Sequence, residues 1–235
     1  RRWVAVGACA FALTACLERS HAQLRWWQNS LTLFQRAEYL APESPMVQNS
    51  LGKAWLHAGQ IEKGLDLFKR AVARAPLKAN YRTNLGVALL MRGDAQAALA
   101  EQDETIRLAP GYADAHCNRG KALQALGRTA EARAAFEQAI RLEPQHANAN
   151  SDLGGILFRA GQLESARSCF EMAARVRPGD PLNWDNLGVT CEKRGRYAEA
   201  ISFMENALQI DPRFPGAERT RMRAKILDAL ENGRE

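Results

Sequence analysis

Apolar and small residues fall into columns spaced 34 residues apart, with polar stretches between them. A large apolar column runs Phe34, Phe68, Gln102, Phe136, Phe170 and Met204. Two small-residue columns accompany it: Gly64, Ala98, Ala132, Ala166 and Ala200, then Ala37, Ala71, Thr105, Ala139, Ala173 and Ala207. Leu-Gly recurs as Leu51-Gly52, Leu85-Gly86, Leu153-Gly154 and Leu187-Gly188, and Arg119-Gly120 is the fifth member. A second glycine column (Gly59, Gly93, Gly127, Gly161, Gly195) divides each period into two segments. Prolines close each period: Pro42, Pro76, Pro110, Pro144, Pro178 and Pro212. This pattern predicts first helices near 47–58, 81–92, 115–126, 149–160 and 183–194. Second helices are predicted near 61–75, 95–108, 129–142, 163–176 and 197–210. The second glycine ends each first helix because it tolerates positive φ, and proline cannot continue the helix it follows.

A constant period of this length is that of a helix–turn–helix repeat, and the columns resemble the tetratricopeptide repeat (TPR) consensus. The resemblance implies an all-α, right-handed TPR solenoid of antiparallel helix pairs. Five full repeats are expected at 45–78, 79–112, 113–146, 147–180 and 181–214. A half repeat precedes them at 27–44, and a capping helix follows at 215–235. No repeat buries its apolar stripe alone, so stability comes from stacking, and the stack makes a binding surface rather than a reaction pocket. The repeat 79–112 departs from the pattern at Gln102 and Thr105. Loss of a buried aromatic there costs roughly 2–4 kcal/mol and predicts the weakest repeat. At Arg119, the side-chain stem is expected to cover apolar surface while the guanidinium reaches a carboxylate.

In TPR arrays the first helices line a concave face. The residue before each Leu-Gly belongs there, and the column reads Ser50, Asn84, Asn118, Asp152 and Asn186. It resembles the asparagine ladder of the O-GlcNAc transferase TPRs, which grips the backbone of an extended peptide. An Asn side chain both donates and accepts, so it can pair with a peptide amide whatever the peptide sequence. The alternative reading is that these asparagines serve helix–helix hydrogen bonds. Neighbouring positions add Asn49, Lys53, Thr83, Lys121, Arg159, Asp185 and Lys193. Lys53, Lys121, Arg159 and Lys193 outline a mildly basic groove suited to acidic peptides or C-termini. Solvated helix faces explain the same lysines equally well. The dicarboxylate clamp of chaperone-binding TPRs is not matched, because Asn49, Thr83 and Cys117 occupy the column where its lysine would stand.

Charge narrows the partner class. The excess of positive charge is +6, and it is spread over the chain: residues 1–44 carry five Arg against three acids, and 213–235 carry six Lys/Arg against four. Without a basic block, nucleic acid is not an expected partner. The cysteines are Cys9, Cys16, Cys117, Cys169 and Cys191, with no metal-type spacing. Cys169 and Cys191 fall on apolar helix positions and are expected to act as small buried hydrophobes. No catalytic constellation, cofactor motif, metal site or small-molecule substrate site is expected in this chain.

Trp3 to Leu17 reads WVAVGACAFALTACL, uncharged, after Arg1-Arg2. Three readings stand beside each other for an apolar helix at 1–20. One is the end of a membrane span, short of the ~20 residues a span needs and helped by snorkelling of Arg1, Arg2 and Arg19. The chain opens on arginine rather than methionine, as it would if sequence lay upstream. The segment Ala22-Gln23-Leu24-Arg25-Trp26-Trp27-Gln28-Asn29-Ser30 resembles the junction in multi-spanning, glycosyltransferase-like membrane proteins that end in TPRs. A second reading is a lipoprotein signal peptide, with Leu13-Thr14-Ala15-Cys16 as its lipobox. A third is a soluble capping helix. The first two keep the positive residues inside and place the repeats outside the cytoplasm. Together these features imply a scaffold that binds protein or extended peptide and is attached to a membrane through the N-terminal helix. A lipid-anchored envelope adaptor and a soluble, cytoplasmic scaffold are the alternatives.

Overall fold

The computed structural model describes residues 29–232, and the apolar run Trp3–Leu17 lies outside them. Among the described residues there are twelve α-helices and no strand. The first is α1 (Ser30–Leu40). Five pairs follow: α2 (Pro45–His57) and α3 (Ile61–Arg74), α4 (Ala79–Arg92) and α5 (Ala95–Leu108), α6 (Ala113–Ala125) and α7 (Thr129–Leu142), α8 (Ala147–Arg159) and α9 (Leu163–Val176), α10 (Pro181–Lys193) and α11 (Tyr197–Ile210). The last helix is α12 (Ala217–Asn232). The second helices match their predicted spans to within a residue. The first helices start two residues earlier than predicted. Pro45 and Pro181 occupy the first turn, where the fixed φ of proline suits a helix and its missing N–H is no loss. Ser44 and Asp180 cap these starts by accepting from the N–H groups of Val47 and Leu182.

The chain divides into two compact units, with the break between Leu108 and Ala109. In the first unit α2 packs on α3 and α4 on α5, and α2 also touches α4. In the second unit α6, α8, α10 and α12 meet in succession, each beside its neighbour. Within each unit, the second helices of adjacent repeats make no such contact among the described residues. The first helices therefore form the inner layer of each unit, and their free face is where a groove would lie.

Each pair is closed the same way. The backbone N–H groups of Gln60, Asp94, Arg128, Gln162 and Arg196 donate to the carbonyls of Trp55, Leu89, Leu123, Leu157 and Cys191, at 2.9–3.0 Å. That six-to-one bond needs a left-handed residue between, and the second glycine column supplies it, from φ 73° at Gly59 to 100° at Gly93. Inside the pair, the Leu-Gly glycine makes room for the large residue of its own second helix. A Cβ at Gly52, Gly120 or Gly154 would lie 2.8, 2.6 or 2.7 Å from the ring of Phe68, Phe136 or Phe170. These rings are 0–2% exposed, and burial of each contributes about 2–3 kcal/mol.

The pair α4–α5 keeps the geometry with different chemistry. Gln102 is buried in the phenylalanine position, its Nε2 donates to the Thr83 carbonyl at 3.2 Å, and its Oε1 has no hydrogen-bond partner. Thr105 is also buried and donates back to the Glu101 carbonyl. Arg119 is half-buried where the other repeats bury leucine, and its charge helps hold the Glu131 carboxyl below the usual range, after the larger effect of Arg128. Cys191 is buried as expected, whereas Cys169 is only half-buried because its helix position lies at the edge of the packed stripe. α12 begins at Ala217 rather than Pro215.

The prolines carry a contact that the column pattern did not reveal. Gln48, Arg82, His116, Asn150 and Trp184 each stand six residues after a repeat-closing proline. Their side-chain nitrogens lie 2.6, 3.0, 2.9, 3.1 and 2.8 Å from the carbonyl oxygens of Pro42, Pro76, Pro110, Pro144 and Pro178. A carbonyl just past a helix end has no intrahelical partner. The first helix of the next repeat brings a donor to it, and five different residue types serve.

Candidate functional site

The candidate residues divide between the two units. In the first unit, Ser50 and Lys53 on α2 line a cavity of about 240 Å³ together with Ser30, Phe34, Ala54 and His57. Ser50 is half-buried and Lys53 exposed. Asn49 is buried, and Asn84 Nδ2 donates to its Oδ1 at 2.8 Å. This rung of the predicted ladder is thus spent on a helix–helix bond between α2 and α4. Thr83 is buried and donates to the Ala79 carbonyl at 3.1 Å.

In the second unit the ladder reads Asn118 on α6, Asp152 on α8 and Asn186 on α10. All three are half-buried. Among the described residues, the side-chain amides of Asn118 and Asn186 make no protein hydrogen bond. Lys121 Nζ lies 3.6 Å from Asp152 Oδ2, an ion pair longer than a hydrogen bond. Burial lifts the Asp152 carboxyl above the ordinary range, and the attraction of Lys121 and His146 only partly opposes it. Burial likewise raises Asp185. One oxygen of each carboxylate is buried without a hydrogen-bond partner. Arg159 and Lys193 are exposed at the far ends of α8 and α10.

Beside Asp152 opens a polar cavity of about 190 Å³, lined by Lys121, Asn148, Ser151, Asp152, Arg177, Asp180, Leu182 and Asn183 among others. Arg177 Nη1 donates to Asn148 Oδ1 at 2.7 Å. Asn183 is buried and donates to the Ala173 carbonyl at 3.4 Å. Next to this cavity, His146 caps α8. Its Nδ1 accepts from the Ala149 N–H at 3.1 Å, which assigns the proton to Nε2, 3.1 Å from Asp114 Oδ1. The His146 hydrogen bond holds the Asp114 carboxyl below its usual range. Cys117, buried behind Lys121 and Asp152, has its thiol pushed up to about 12 by burial, so it is held as a neutral thiol rather than a nucleophile.

The second unit therefore presents hydrogen-bonding amides, orphan carboxylate oxygens and rim cations along one inner layer. Sequence reading named Asn118, Lys121, Asp152, Asp185, Asn186, Arg159 and Lys193. It missed Asn148, Arg177, Asp180 and Asn183, which come from the repeat edges, and the His146–Asp114 pair that braces α8 against α6.

Comparison with known proteins agrees with this architecture. A family model described as tetratricopeptide repeat matches residues 19–76, 49–113 and 117–181. A second model of the same description matches 181–214. No curated protein sequence matches the chain. Among solved structures, the chain is similar to TTC0263, a thermophilic TPR protein of Thermus thermophilus, at 20% identity and TM-score 0.66, over 78% of this chain and 100% of that one. It is similar to YrrB, a TPR protein with an unusual peptide-binding site, at 19% identity and TM-score 0.55, over 82% and 97%. It is also similar to a chain of the APC/C hetero-tetramer Cut9–Hcn1, at 16% identity and TM-score 0.74, over 82% of this chain and 38% of that one. Repeat-model matches across most of its length, on helix pairs closed by the same turn, place this chain in the tetratricopeptide repeat family.

Proposed function

We propose that this chain is a binding scaffold that holds an extended polypeptide against the first helices of residues 109–235. The observation that carries the reading is the state of the asparagines. Asn84 is consumed by Asn49, whereas Asn118 and Asn186 are half-buried and unsatisfied by protein. A side-chain amide held in that state favours a ligand with both a donor and an acceptor, as a peptide unit has. The peptide-binding site of YrrB, a protein of similar fold, is consistent with such use. The test is selection of a displayed random dodecapeptide library on the full chain. Asn118→Ala with Asn186→Ala is expected to weaken the selected peptides about ten-fold or more, the loss of one or two net hydrogen bonds. The melting temperature should stay unchanged. A lowered melting temperature with binding intact would return these asparagines to a packing role.

We further propose that the scaffold is membrane-attached through Trp3–Leu17, with its repeats outside the cytoplasm. The uncharged run behind Arg1-Arg2 supports this. No helix among the described residues is long and apolar enough to cross a membrane, so attachment rests on that run. In a glycosyltransferase-like parent, the array would select polypeptide acceptors.

A further inference from the structure

Two glycines stand side by side inside α8, and packing needs only one of them. A Cβ at Gly154 would lie 2.7 Å from the Phe170 ring, whereas a Cβ at Gly155 would meet nothing nearer than Arg159 Nη1 at 3.7 Å, an ordinary van der Waals distance. Gly155 has helical rather than left-handed backbone. A glycine inside a helix weakens it relative to alanine, and nothing in the packing of the described residues requires this one. Gly155 is half-buried and shares a face with Asp152, three residues before it, and Arg159, four residues after it. That face belongs to the inner layer: Lys121 holds the same register on α6, Val189 holds it on α10, and α8 touches both helices. The missing side chain leaves a notch in the groove between Lys121 and the half-buried Val189. The exposed Arg159 leans back over it, as helical side chains lean toward the N-terminus. Among the described residues its guanidinium makes no ion pair or hydrogen bond.

With its backbone held by Asn118 on α6 and Asn186 on α10, an extended peptide crosses α8 between them. We propose that the crossing stretch carries an aromatic residue whose ring enters the notch at Gly155, rests against Val189 and stacks on the Arg159 guanidinium. The inference rests on the peptide-binding reading above and names the side chain that the groove selects. A flat guanidinium without a carboxylate partner stacks on an aromatic face. The bare helix backbone lets the ring approach where a side chain at this position would hold it off. An acidic side chain of the peptide would meet Arg159 in open water, where an ion pair contributes little.

Three terminally blocked, unlabelled decapeptides test this by isothermal titration calorimetry against the full chain. All alternate Gln and Ser except at the fifth residue, which is phenylalanine, cyclohexylalanine or glutamine. The phenylalanine peptide is expected to bind about ten-fold tighter than the glutamine peptide, from burial of the ring. It should bind about three-fold tighter than the cyclohexylalanine peptide, the size of a cation–π contact at an exposed site. Arg159→Gln should remove the second difference and keep most of the first. Gly155→Leu should remove both and raise the melting temperature by roughly 2–4 °C, as replacement of an unneeded helical glycine does. Unfolding then cannot explain its loss of binding. A lowered melting temperature would mean that packing needs Gly155 and would overturn the notch. Equal binding of the three peptides, equal binding of the phenylalanine and cyclohexylalanine peptides, or a phenylalanine preference that survives Gly155→Leu also overturns it and leaves the peptide reading standing. Binding of none of the three overturns the peptide reading along with it.

Discussion

At the scale of single residues, the most regular chemistry in the chain is the bond between a side-chain nitrogen and a proline carbonyl. The donor varies from Gln48 to Trp184, yet the spacing from the proline is constant. A periodicity search misses such a column because it compares residue types, and here only the N–H group is shared. Trp184 offers a clean test, since its ring also stacks on Phe203 with centroids 6.1 Å apart. Trp184→Phe keeps an aromatic ring and removes the donor to Pro178. It is expected to cost about 1 kcal/mol, measured by urea unfolding, because the solvent-facing carbonyl can turn to water instead. No loss, or a loss of the size expected for a missing ring, would show that the bond contributes nothing of its own.

At the scale of the helix pair, one contact sets the interior: a glycine on the first helix against a large side chain on the second. Four pairs fill it with Phe68, Phe136, Phe170 or Met204, and α4–α5 fills it with Gln102. The glutamine fits the space but leaves Oε1 without a partner, and a buried unsatisfied acceptor is destabilising. The double change Gln102→Phe with Thr105→Ala recreates the neighbouring pairs and should raise stability by about 2 kcal/mol in urea unfolding. A loss of stability would mean that the α4–α5 backbone has adapted to glutamine and no longer accepts a ring. The same pair shows how far the pattern could be read. Gln102 was identifiable as a departure, but its bond to the Thr83 carbonyl depends on how closely α4 and α5 approach. Asn49 and Asn84 were identifiable as groove candidates, but their bond to each other depends on the contact of α2 with α4.

At the scale of the whole molecule, the repeat matches and the helix pairs describe a scaffold, and the proposed attachment to a membrane rests on the run before residue 20. The full chain, with Trp3–Leu17 intact, is expected to stay with the membrane fraction in alkaline carbonate and to leave it in detergent. Deleting residues 1–20 should free it. Release by carbonate alone would end the anchoring proposal and favour the soluble scaffold. What the sequence determined by itself was everything that repeats: the five helix pairs, their spans to within two residues, the left-handed glycines and the family. Each depends on local propensity and on a spacing that recurs with the period. Only the tertiary structure decided which polar residues remain available to a partner. Asn84 and Asn118 occupy the same column, and one is consumed by a neighbouring helix while the other is not. That difference depends on the residue each one faces across the interface, a non-local contact that the column pattern alone does not assign.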